Sequence, residues 1–401
     1  MRALTLNRVF GTRVSSTLAI GAVLALAPAA LEAAEPCIGA SLPITGPTAW
    51  AAESIAMGAE TAIDEINAMG GVLGQELRFI QYDDAGQPPR GVDNARRIAE
   101  SDNCIAMLGG WHSGVALAVV EPVHEAGMPY VAVISAGTRI TENDRDPNYV
   151  FRVSMFDRWQ ALALIRKSQE ISETGAIGVM YEDTGWGQGA VPDLEQSAAD
   201  EGADIVGMES FKWEDRDMTA QLIRLRDAGA DTIILYSRDL EANQILRSME
   251  RIDYRPTVVS AWGNTGTLGE LAGELADGMI VLQTFSWMGE LEPRQQALLD
   301  SMLERYGLGS PEDIRHGSGA ANTYDAIYII AQAIEQAGAF DRSAVREALY
   351  DVSFDGIVQT YDPAFTPERH NAILPENYRW TAWHEGRILP IEQTPYDTTS
   401  N

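Results

Sequence analysis

From residue 38 onward, short apolar runs alternate with longer amphipathic stretches, and this alternation decides the fold class. Strands are expected over 38–43, 76–82, 105–109, 130–134, 176–181, 204–208, 232–236, 257–261 and 278–284. Helical periodicity fills 49–68, 89–101, 115–126, 157–170 and 240–251. Alternating β and α units build parallel sheets with helices on both faces, because a parallel crossover is long enough to need a helix. No internal repeat, low-complexity tract or long linker interrupts the pattern. In such sheets ligands bind beyond the carboxyl ends of the strands, where loops lead into helix N-termini.

The N-terminal segment sets the compartment. Arg2, Arg8 and Arg13 precede an apolar run over 18–27, and small residues follow at 28–30 and 33–34. That order predicts a signal peptide over 1–34 and a periplasmic chain beyond it. The run is too short for a membrane span, which needs ~20 apolar residues. The roughly 365 residues that follow suit about two domains. A net charge of -29 excludes nucleic acid and anionic membrane surfaces as partners. An oxidising compartment predicts a disulfide between Cys37 and Cys104. Two cysteines without clustered histidines predict no metal site, and no cofactor is expected.

The loops after the strands have an unusual composition. They are TGPTAW at 45–50, GGWHSG at 109–114, SAGT at 135–138, DTGWGQG at 183–189 and SAWG at 260–263. Gly, Ser and Thr beside a helix start offer N–H groups and hydroxyls to an anionic group, and a Trp adds a flat apolar wall. A single Trp is more often core. Four of the nine tryptophans (Trp50, Trp111, Trp186 and Trp262) fall in these loops, which favours a pocket.

At this point the chain resembles the leucine/isoleucine/valine-type periplasmic binding proteins of ABC importers. The resemblance rests on IGASLPITGP at 38–47, GAE at 58–60, AIDEIN at 62–67, the glycines 70–71 and YDD at 82–84. It continues with Gly109, Gly110, Ser113, SAGT at 135–138, Phe151, Arg152, Asp183, WGQG at 186–189 and QIL at 244–246. It implies two doubly wound α/β lobes joined by a hinge of three strands and closing over a ligand. The first lobe would hold 37–154 plus 285–358 and the second 155–284 plus 359–401. Crossings would fall near 153–154, 284–285 and 359–361. By the same resemblance, Ser113 and Thr138 hold a ligand carboxylate, and the Ala136 carbonyl accepts from an ammonium within the loop that Ser135 opens. Trp186 closes from the second lobe, Trp50 and Trp111 line the first, and Arg238 faces the cleft. Members that bind amino acids carry an acid after the strand that is 257–260 here, where this chain has Ala261 and Trp262. Either Asp239 or Glu241 replaces it, or the ligand is an aromatic or aliphatic carboxylate or amide without an ammonium.

An enzyme is not expected. The run 185–189 lacks the spacing of a dinucleotide fingerprint and the lysine of a phosphate loop, and there is no Gly-x-Ser-x-Gly elbow. The five histidines (His112, His124, His316, His370 and His384) are scattered. The expectation is a monomeric binding component of an importer, partnered by a membrane permease. A ligand-sensing module for a membrane receptor is the other reading.

Overall fold

The computed structural model describes residues 35–398, so the expected signal peptide at 1–34 lies outside the described residues. The chain begins with β1 (Cys37–Leu42), α1 (Ala49–Ala68), β2 (Arg78–Asp83), α2 (Pro88–Arg96), β3 (Ala106–Gly109) and α3 (Ser113–Glu125). It continues with β4 (Tyr130–Ala132), α4 (Thr138–Thr141), β5 (Val150–Arg152), α5 (Asp157–Ile171), β6 (Ala176–Glu182) and α6 (Gly185–Glu201). Next come β7 (Asp204–Phe211), α7 (Thr219–Asp227), β8 (Thr232–Tyr236), α8 (Asp239–Arg251), β9 (Thr257–Ser260), α9 (Leu268–Ala272) and β10 (Ile280–Gln283). The remainder is α10 (Pro293–Tyr306), α11 (Gly317–Ala337), α12 (Arg342–Ala348), β11 (Phe354–Asp355), β12 (Thr360–Tyr361), β13 (Arg379–His384) and β14 (Arg387–Pro390).

Two sheets result. One is wholly parallel, in the order β2-β1-β3-β4-β5. The other runs β14-β13-β10-β9-β8-β6-β7, parallel except for β13 and β14. Central strands such as β1 (CIGASL) and β8 (TIILY) are buried at every position, as strands covered by helices on both faces must be. The edge strand β2 is half-exposed along most of its length. Helix α1 crosses α11 so closely that a Cβ on Gly58 would lie 2.2 Å from the Ala320 carbonyl oxygen. Cys37 and Cys104 form the disulfide that the sequence predicts, joining the start of β1 to the residues before β3 with Cα atoms 4.6 Å apart.

The chain leaves the first sheet after β5 and the second after β10. Helix α11 then packs on α1, and Arg342 at the start of α12 donates to the Ala99, Cys104 and Ala126 carbonyls. At 359–361, where a crossing is expected, the short strand β12 pairs with β11. Arg152 N–H donates to the His370 carbonyl and Ala372 N–H to the Arg152 carbonyl, both at 2.8 Å. The His370 ring stacks on Phe151 at 4.5 Å. Phe365, Ala372 and Ile373 are buried there.

Candidate functional site

Loops from the carboxyl ends of both sheets face one another. Trp111, His112 and Ser113 follow β3, Ala136 follows β4, Trp186 follows β6, and Trp262 and Gly263 follow β9. With Ile134 and His316 at the head of α11, they enclose a void of about 20 Å³. That is room for about one water. A ligand of amino-acid size therefore needs these walls to part.

Closure is held by specific contacts. His112 Nε2 lies 3.3 Å from Glu182 Oε1, joining the loop after β3 to the end of β6. On its own side Glu182 is fixed by Trp213 Nε1, which donates to its other oxygen at 2.9 Å. Thr138 Oγ1 donates to Asp193 of α6 at 2.5 Å, while on the second-sheet side alone Trp262 N–H donates to Gln160 Oε1 at 3.0 Å. The starts of α3 and α6 touch at Gly114 and Gly185.

The aromatic walls form one group. Trp50 meets Trp111 edge-on at 6.1 Å and stacks with His316 at 5.9 Å. Trp262 meets His316 edge-on at 5.5 Å, while Trp186 lies against Tyr236 at 5.2 Å. The expected polar groups already have partners. Ser113 Oγ accepts the Gly137 N–H at 3.1 Å and borders the void. Ser135 Oγ donates to the Gly110 carbonyl, and the Ala136 carbonyl accepts the Asp157 N–H.

Arg238 and Asp239 stand apart from the void. Arg238 bonds both oxygens of Glu241, at 3.0 and 2.5 Å, and lies 3.8 Å over the Trp213 ring. Asp239 accepts from the N–H and hydroxyl of Thr267 and from Asn264, which fastens the loop after β9. The two do not pair with each other. They border an outer cavity of about 270 Å³ beside Pro47, Trp50 and Arg315.

Sequence reasoning gave no site role to Asp157, Tyr236 and Arg152, which are buried, or to His316, which borders the void. Asp157, at the head of α5, is fully buried, and its Oδ1 accepts from Trp186 Nε1 (3.2 Å) and Gln160 Nε2 (2.6 Å). Its Oδ2, the Tyr236 hydroxyl, and Nε and Nη1 of Arg152 have no hydrogen-bond partner. Burial pushes the Asp157 carboxyl up to about 7, against the Trp186 hydrogen bond and the Arg152 charge. Burial also lowers Arg152 to about 10 and His316 to about 4. The sequence signal was faint: Asp157 begins a helix, as many acids do, and His316 precedes a run of small residues. Among the described residues no three His, Cys, Asp or Glu side chains are grouped to hold a metal ion.

His112 cannot serve as a base for Ser113, since its Nδ1 accepts the Gly114 N–H and its Nε2 faces Glu182. An aromatic chamber between the facing carboxyl ends of two doubly wound sheets defines a solute-binding protein of the type I periplasmic class. The chain belongs to the periplasmic binding protein family, whose model matches residues 37–383. It is 24% identical over 388 residues to a Leu/Ile/Val-binding protein homolog 7 of Brucella melitensis, covering 93% of this chain and 95% of that one. A branched-chain amino acid transporter substrate binding protein of Streptococcus pneumoniae, solved with isoleucine, has a TM-score of 0.75 at 21% identity, covering 88% and 97% of the two chains. A solute binding protein of R. palustris, solved with 4-hydroxybenzoate, has a TM-score of 0.75 at 18% identity, covering 88% and 95%. The chain is thus a solute-binding protein and not an enzyme, and its family is periplasmic.

Proposed function

We propose that this chain is the exported binding component of an ABC importer and that it closes over an amino acid. The observation that carries this reading is the unpartnered Oδ2 of the buried Asp157, directly behind Ala136 and Trp186. A buried carboxyl oxygen without a donor is costly, and a ligand ammonium would supply one. Asp157 then takes the role of the acid missing near Ala261. Ser113, at the N-terminus of α3, and Thr138, at that of α4, would hold the ligand carboxylate once the closure contacts rearrange. Trp50, Trp111, Trp186 and Trp262 would wall the side chain. The two lobes would be 37–152 with 285–373, and 153–284 with 374–398, and residues 1–34 would direct export. The name of the Brucella relative and the isoleucine complex support the same substrate class.

The second reading is an aromatic carboxylate without an amine. The tryptophan walls favour it, as does the relative solved with 4-hydroxybenzoate. Calorimetry on a panel of amino acids and on 4-hydroxybenzoate separates the two. The amino-acid reading expects at least one amino acid to bind, its deamino counterpart to fail, and Asp157→Asn to abolish binding. Tight binding of 4-hydroxybenzoate that ignores Asp157→Asn would overturn it.

A further inference from the structure

We infer that His316 selects a ligand whose side chain carries a hydrogen-bond acceptor, by presenting an imidazole N–H inside the aromatic chamber. This rests on the small-molecule reading above and narrows the substrate class of the same site.

His316 is the residue before α11, and its Nδ1 accepts the Gly319 N–H at 2.9 Å. An accepting Nδ1 in a neutral ring leaves the proton on Nε2. The ring is held neutral by burial, which brings it down to about 4. It is also held in place, with Trp50 stacked on it and Trp262 edge-on. Nδ1 is committed to the helix, so the nitrogen left for the void that the ring borders is Nε2–H.

Trp186, by contrast, spends its N–H on Asp157, and the Ser113 hydroxyl, which accepts from Gly137, keeps its O–H for the ligand carboxylate. Capping α11 needs only an acceptor, which Ser, Thr, Asp or Asn provides as well or better. An imidazole adds the second nitrogen. A wholly apolar ligand side chain would leave that N–H dry and unpaired, whereas a hydroxyl or amide oxygen of the same size would satisfy it. Sites of this kind discriminate against the analogue that lacks the partner.

Isosteric pairs test the inference: threonine against valine, asparagine against leucine, and 4-hydroxybenzoate against benzoate. The whole mature chain is used, and affinity is read by calorimetry. The expected result is a preference of roughly 10- to 100-fold for the acceptor-bearing member of whichever pair binds. His316→Phe, which keeps a ring, and His316→Asn, which keeps the cap, should each bring that ratio close to one. If the benzoate pair alone binds and shows this His316-dependent ratio, the amino-acid reading fails and the inference stands. A wild-type ratio near one, or a ratio unchanged in both variants, overturns it. Nitrogen-15 NMR gives a check that needs no ligand: the free protein should carry the His316 proton on Nε2, and a proton on Nδ1 would overturn the inference.

Discussion

His112 and Glu182 face each other at 3.3 Å across the closed cleft, one capping α3 of the first sheet and the other ending β6 of the second. Each also has a partner on its own side: Gly114 for His112, and Thr184 and Trp213 for Glu182. The pair therefore joins two groups whose positions are already fixed. Asn is as good an N-cap as any residue but is too short to reach Glu182. His112→Asn should leave the melting temperature nearly unchanged and weaken ligand binding by about 10- to 150-fold, the value of one hydrogen bond to a charged group. Tryptophan fluorescence titration beside a thermal melt measures both. Unchanged affinity would remove this pair from the closing contacts.

Closure also needs two glycines to meet. A Cβ on Gly185 would stand 3.0 Å from Gly114 Cα, too close for the two helix starts as they sit. Alanine is otherwise the better helix former by up to about 1 kcal/mol. Gly185→Ala should thus melt at the same or a higher temperature while binding ligand at least ~10-fold more weakly. Small-angle scattering with saturating ligand should show a larger radius than the parent. A variant that closes to the parent's radius rules this contact out.

Trp186 borders the void, and its indole also donates to Asp157 and lies on Tyr236, with only 7% of its surface exposed. Trp186→Ala should cost the protein about 3–5 kcal/mol in urea unfolding, the usual figure for a buried Trp. Trp186→Phe retains most of the ring and should lose less than half of that. Equal stability of the two variants would show that the ring area is not what matters.

Much of the fold was legible because buried parallel strands must be apolar throughout. β8, over Thr232–Tyr236, was found with its bounds intact. The C-terminal hairpin β13–β14 was missed. It turns at Glu385 and Gly386, both at positive φ, a conformation that Asn-Gly announces and Glu-Gly does not. β5, over Val150–Arg152, is only three residues long, too short for a periodic signal. At the site, the tryptophans were visible because their loops are short and their chemistry is distinctive. Asp239 and Glu241 draw attention in the sequence because they follow a strand directly, whereas Asp157 reads only as the start of a helix. Only the folded chain shows that Thr267 and Asn264 occupy Asp239, while half of Asp157 is left open.

The disulfide closes a long loop, with 67 residues separating Cys37 from Cys104. In the chain-entropy account such a crosslink contributes about 4–4.5 kcal/mol by restricting the unfolded chain. Replacing both cysteines with serine should lower urea stability by about that amount without changing ligand affinity, since neither residue borders the cleft. Two alkylatable thiols in unreduced periplasmic protein would contradict the bond itself.

Asp157 gives the protein a pH dependence whose sign is fixed by burial. Its folded carboxyl titrates at about 7, against an ordinary value of 3.8. The folded state thus binds this proton more tightly than the unfolded chain does. The stability it contributes is fully present below about pH 4 and is lost as the pH rises through about 7. His316 works in the opposite sense. Its folded value is lowered to about 4, so its contribution is present above about pH 6.5 and is lost as the pH falls. Comparing Asp157→Asn with the parent at each pH cancels the histidine. Asparagine keeps an oxygen for Trp186 and cannot ionise, so the variant should match the parent at or below about pH 4 and exceed it in urea stability increasingly as the pH rises to 8. Curves that stay parallel from pH 5 to 8 would mean that Asp157 does not titrate there. A bound ammonium would hold the same carboxylate ionised. At pH 6, amino-acid binding should then release close to one proton, visible as a dependence of the binding heat on the ionisation heat of the buffer and absent in Asp157→Asn.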